Sequence, residues 1–138
     1  MKNNKTYNIY CPYCGSPAVC RPASTVYGTD TIDSKSYLYL CSNWPSCDAY
    51  VSAHRKDRRP MGTLANSELR HKRILAHRAL QRLQKERHMD KWATYLWLQA
   101  RLGLDADHAH IGIFTSQMCD QVISLCRAPA SPNRKLAT

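Results

Sequence analysis

The chain has 138 residues, enough for one domain or two small modules, and 43% of them are hydrophobic, which allows only a modest core. No run approaches the roughly 18 apolar residues of a membrane-spanning helix. The opening Met1-Lys2-Asn3-Asn4-Lys5 lacks the apolar stretch of a secretory leader, so the expected location is the cytoplasm, with no membrane partner. The net charge of +10 is concentrated: residues 54–91 hold twelve Lys/Arg against four acidic residues, a distribution that points to an anionic partner.

Residues 7–53 come first, rich in Cys, Tyr, Pro and Ser, with alternating runs such as Tyr37-Leu38-Tyr39-Leu40 that read as strand. Tyr37 and Tyr39 share one strand face and Leu38 and Leu40 the other. Residues 54–62 form a charged connector ended by Pro60 and Gly62. A helical region follows over residues 63–127.

The first helix is expected to be capped by Asn66 or Ser67 and to run to about His88. Leu69, Ala76, Leu80 and Leu83 make its apolar stripe, widened by Leu75 and Ala79. The second helix is expected over residues 91–102, with Gly103 as its C-terminal cap. It should turn Trp92, Leu96 and Gln99 to one side, with Tyr95, Leu98 and Leu102 beside them. A third helix begins near Thr115 and sends Met118, Val122, Ile123 and Leu125 to a shared core. Residues 128–138 read as a disordered tail. The fold class is therefore α+β: a small antiparallel module followed by a basic three-helix domain.

Seven cysteines are many for a short chain in a reducing compartment, where they point to metal before disulfides. Cys11-Pro12-Tyr13-Cys14-Gly15 is a CxxC turn that chelates one ion from a single bend, with Gly15 free to take the positive φ on leaving. Cys41-Ser42-Asn43-Trp44-Pro45-Ser46-Cys47 supplies a second pair, and the 26 residues between the halves suffice for strand, turn and strand. The favoured set, Cys11, Cys14, Cys41 and Cys47, fills a tetrahedral sphere and leaves no place for water. The expected cofactor is thus one structural Zn2+. Cys20 and His54 are alternative fourth ligands, although Cys20 sits in what reads as a strand leaving the turn.

Residues 9–51 resemble the C-terminal zinc ribbons of type IA DNA topoisomerases, through the CPxCG opening and the CSxxPxC closing turn. That resemblance implies single-stranded DNA as ligand. The whole chain resembles a zinc-finger-containing family of unknown function from bacteriophages, prophages and other mobile elements. Residues 10–15 and 37–50 carry this, with Pro60-Met61-Gly62-Thr63-Leu64-Ala65-Asn66, Ala76-His77, Tyr95-Leu96-Trp97-Leu98 and His110-Ile111-Gly112. Two positions depart from the family pattern: Leu80-Gln81 where Phe-Asp is usual, and Ala109 where a Cys often precedes the His.

Seven of the eight tyrosines fall in the first 50 residues. Tyr37, Tyr39 and Trp44 are candidate stacking surfaces for unpaired bases. Arg55, Lys56, Arg58, Arg59, Arg70, Lys72, Arg73, Arg78, Arg82 and Lys85 are candidate phosphate contacts, expected to form one positive surface. Asp105-Ala106-Asp107-His108-Ala109-His110 reads as capping and loop residues, and Cys119 and Cys126 as small buried side chains.

No phosphate-binding glycine loop, nucleophile elbow or carboxylate pair is present, so an enzyme is not expected. The expected partner is nucleic acid, with single-stranded DNA favoured, in a bacterial host cell. The alternative is a protein-interaction module that docks on a host polymerase, defence or DNA-processing complex.

Overall fold

Alternation along Tyr37-Leu38-Tyr39-Leu40-Cys41 makes a strand with two apolar faces, and the first unit is built by covering both. The computed structural model describes residues 7–28 and 35–127. Strands β1 (Ala18–Pro22), β2 (Tyr37–Cys41) and β3 (Tyr50–Ser52) form an antiparallel sheet in that order. Cys20 pairs with Tyr39, and Leu38 with Ser52.

On one face Tyr39 and Cys41 pack with Cys11, Ala49, Ala53 and Leu64, joined by the half-buried Cys20, Cys47 and Val51. On the other, Leu38 and Leu40 pack with Ala23 and Tyr50, joined by Val19, Val26 and Trp44. Ala23 enters that layer just ahead of a single helical turn, α1 (Ser24–Tyr27).

Residues 54–62 are more than a connector. His54 N–H donates to Arg59 O (2.8 Å) and Arg58 N–H to His54 O (2.8 Å), which closes a tight turn with Arg58 at φ 60°. The chain then returns beside the sheet through bridges pairing Ala53 with Pro60 and Tyr50 with Ala65. The first compact unit accordingly extends to Arg70, and its boundary falls inside the next helix.

That helix is α2 (Ser67–Glu86). Of the two proposed caps, Asn66 does the work: its side-chain oxygen accepts from Leu69 N–H at 3.0 Å. Ala76, Ala79, Leu80 and Leu83 are buried, whereas Leu75 is exposed and does not widen the stripe.

The second unit continues with α3 (Lys91–Leu102), started by the Asp90 side chain on Ala93 N–H (2.7 Å) and ended by Gly103 at φ 67°. Its buried side chains are Thr94 and Leu98. Trp92 is 73% exposed and Leu96 42%, so the side they share faces water while Leu98 beside them turns inward. Thr94 is tolerated inside because its hydroxyl donates to Asp90 O at 2.7 Å.

Two 3-10 turns lead to α4 (Ser116–Arg127), capped by the Thr115 hydroxyl on Met118 N–H (3.2 Å). Cys119, Val122 and Cys126 are its buried residues, with Met118, Ile123 and Leu125 half-buried. Asp105 caps the first 3-10 turn through His108 N–H, the capping role expected of that run. The tail, residues 128–138, lies outside the described residues. No helix among the described residues is long and apolar enough to cross a membrane.

Candidate metal centre

Cys11 and Cys14 stand on the turn before β1, Cys41 closes β2, and Cys47 ends the loop that precedes β3. The first turn is tied by Gly15 N–H to Cys11 O (2.9 Å) with Gly15 at φ 76°, and the second by Cys47 N–H to Asn43 O (3.0 Å). Antiparallel pairing of β1 with β2, which matches Ala18 with Cys41, brings the two turns to the same end of the sheet.

The four sulfurs all lie within 4.8 Å of one another, with Cys11–Cys47 at 3.6 Å and Cys14–Cys41 at 3.4 Å. A tetrahedron of thiolates about 2.3 Å from a zinc ion has edges of about 3.8 Å, so the cage has the size of that ion. Cys20, on β1, stays outside the cage and packs in the layer beneath Tyr39; His54 is also outside.

The donor chemistry fits as well. The N–H two residues after each cysteine points at its sulfur: Tyr13 to Cys11 (3.4 Å) and Asn43 to Cys41 (3.4 Å), and likewise Ser16 to Cys14 and Ala49 to Cys47. Asn43 adds its side-chain N–H to Cys14 at 3.5 Å and braces itself on Ser16 Oγ at 2.8 Å. Donors arranged in this way stabilise thiolate over thiol.

The Cys14 thiol is accordingly lowered to about 6, first by the Ser16 N–H and hydroxyl and then by Cys41 and Asn43. Burial pushes Cys41 up to about 12. At Cys47 the Ala49 N–H pulls the thiol down, but burial and the sulfurs of Cys11 and Cys14 outweigh it and the net direction is up. Two exits from water and mutual repulsion make four bare thiolates untenable, and a divalent cation at their centre resolves both. The four cysteines hold one structural Zn2+, with every coordination position taken by sulfur.

Several of the candidate nucleic-acid contacts are engaged within their own units. Tyr39 is 4% exposed, and its hydroxyl donates to Arg58 O, so it offers no ring face to a base. Tyr37 is half-buried beneath the Arg58 guanidinium, 3.6 Å away. Trp44 packs against the Leu38 and Leu40 layer and does not stand out from the loop.

Arg70 is also spent internally. It donates to Asp48 O (2.6 Å) and Ala65 O (2.7 Å), pairs with the Asp48 carboxylate, and lies 3.8 Å over the Tyr50 ring. Lys72 pairs with Asp120 at 2.9 Å, and Arg73 Nε donates to Phe114 O at 3.1 Å. Arg59 reaches Asp57 and His54. Arg55, Lys56, Arg78, Arg82 and Lys85 are exposed.

Sequence reasoning passed over Tyr10 and Tyr13, exposed by 61% and 46% beside Cys11 on the zinc turn. Their flanking of the CxxC motif was the available signal.

No curated protein and no solved structure matches the chain. One family model does match, over residues 7–129, and it spans both the cysteine cage and the helices. On that match and this cage, the chain belongs to the zinc-finger-containing domain family.

Proposed function

We propose that this protein is a non-catalytic, zinc-stabilised module that binds nucleic acid, preferentially single-stranded DNA, in the cytoplasm of a bacterium carrying a phage or other mobile element. The observation that carries the reading is the exposure of Tyr10 and Tyr13 on the zinc turn, in the same unit that exposes Arg55, Lys56 and Arg58. Aromatic rings stack unpaired bases of any sequence at about 1–3 kcal/mol each, and cations follow the phosphates. A duplex keeps its bases stacked internally and would use only the second of these. The resemblance of residues 9–51 to topoisomerase zinc ribbons supports the choice of single strands, and the family resemblance supports the phage setting. A zinc ion closed by four sulfurs has no position for a substrate or an activated water, which supports a binding role over an enzymatic one.

The test is fluorescence anisotropy of a labelled single-stranded oligonucleotide, with the duplex and an RNA of the same sequence alongside. Binding is expected to be tightest for the single-stranded DNA, and log affinity to fall linearly with log salt. Absence of binding to every nucleic acid at low salt would sink the reading.

A second reading rests on a different observation. Trp92 and Leu96 are one turn apart on α3 and both exposed, as an interface anchor would be. Co-purification of one host complex that Trp92→Ala abolishes, combined with no nucleic-acid binding, would favour a protein-interaction module.

A further inference from the structure

The second unit contains an open cleft of about 380 Å³, in the size range of roughly 300–1,000 Å³ occupied by small-ligand sites. One wall is α2, which contributes Arg73, Ile74, His77, Arg78 and Gln81. The other is the 3-10 turn Ile111–Ile113, which contributes Ile111 and the bare backbone of Gly112. Arg73, His77 and Gln81 follow one another at four-residue spacing and so share a helix face, about 6 Å apart along the axis. Arg73 is held at the rim because its Nε donates to the carbonyl of Phe114. Ile74, by contrast, is a large apolar side chain left 48% exposed beside those polar groups.

We infer that this cleft binds a nucleotide, with its phosphate on the exposed His77 and Arg78 and its base against the exposed Ile74. The Gln81 amide, one turn further along, presents a donor and an acceptor to the edge of the base. The two kinds of lining select the ligand class. A bare anion would satisfy the Arg78 guanidinium and the His77 imidazole and leave Ile74 wet. An apolar molecule would cover Ile74 and leave Arg78 and His77 unused. A phosphate joined to a flat, weakly polar ring matches both, and guanidinium groups are the usual partners of phosphate oxygens. The site stands apart from the strand-binding reading, since it lies wholly in the second unit and involves neither the zinc turn nor its tyrosines. A free nucleotide and a nucleotide within a strand present the same chemistry to it.

The test is titration of the zinc-loaded full chain, labelled with 15N, with adenosine monophosphate, with inorganic phosphate and with a single-stranded oligonucleotide. Adenosine monophosphate is expected to shift the amides of residues 73–81 and of Gly112 saturably, leaving those of Tyr13 and Asn43 in place. Arg78→Gln and Ile74→Asp, both at exposed positions, should each weaken that binding at least about tenfold, as loss of a charge-assisted hydrogen bond or an apolar contact predicts. Their zinc content and far-ultraviolet dichroism should be unchanged. If the oligonucleotide displaces the monophosphate, the natural ligand is a nucleotide within a strand; if it does not compete, the ligand is free. Absence of saturable shifts at millimolar adenosine monophosphate overturns the inference. So does full reproduction of the shifts by inorganic phosphate, or binding that survives Ile74→Asp undiminished.

Discussion

Asn43 joins the two halves of the metal centre. Its backbone N–H serves Cys41, while its side chain serves Cys14 and Ser16 on the opposite turn. Asn43→Ala should therefore weaken zinc affinity by about 10–100-fold without removing a ligand, the usual effect of losing an outer contact to a metal ligand. Competition with a chromogenic chelator measures this, and an unchanged affinity would show that the side chain plays no part. The ligands themselves are a harsher case. Folding coupled to zinc is worth about 10–16 kcal/mol in small zinc peptides, so Cys11→Ser or Cys47→Ser should lose both the metal and the first unit's structure. Cys20→Ser, Cys119→Ala and Cys126→Ala should retain one equivalent of zinc by elemental analysis, since all three lie outside the cage. Zinc binds the thiolate and not the thiol, so protons compete with the metal for each sulfur. The stabilisation is then present at neutral pH and lost on acidification, as protons displace the metal.

Among the elements, α2 begins inside the first unit, and Arg70 fastens it there. Two carbonyls, one carboxylate and one aromatic face meet that guanidinium, whereas Arg78 two turns later is exposed. Arg70→Gln should cost about 2–3 kcal/mol in chemical unfolding, and Arg78→Gln nearly nothing. Equal effects would mean that the Arg70 contacts contribute no stability. Nothing in the spacing of Arg70, Arg73 and Arg78 separates these roles, because the partners Asp48 and Phe114 are remote in sequence. The same distinction explains what was legible. The ligand set was readable because chelation from a CxxC turn is a local matter, and α3 was readable from Gly103, whose φ of 67° ends it. The side of α3 that is buried was not. Trp92, Tyr95, Leu96, Trp97 and Leu98 make the helix apolar over much of its circumference, so the pattern marks no single side as the buried one. Alternation in β2 likewise showed two faces, but it could not show that Ala23 and Val26 would cover the second, or that Tyr39 would be sealed in the first.

For the whole molecule, a charge of +10 overstates what is available to a partner, since Arg70, Lys72, Arg73 and Arg59 are already paired or hydrogen-bonded. The salt dependence of binding should reflect the exposed cations. Single-stranded contacts release about 0.7 counterion each, so changing Lys56, Arg78, Arg82 and Lys85 together to Gln should flatten the slope of log affinity against log salt by up to about 3. All four side chains are exposed, so thermal unfolding should change little. Stacking behaves differently, because it carries no counterions. Tyr10→Ala should weaken single-strand binding by about 1–3 kcal/mol and leave the slope as it was. At Tyr13 the ring and the hydroxyl are separable, since the hydroxyl accepts from Asn66 N–H at 3.2 Å and faces no base. Tyr13→Phe keeps the ring and should keep the binding. If the quadruple variant retains the wild-type slope, the basic segment contributes no phosphate contacts. If Tyr10→Ala alters the slope and leaves the affinity at low salt intact, the exposed rings are not stacking bases, and the preference for single strands loses its physical basis.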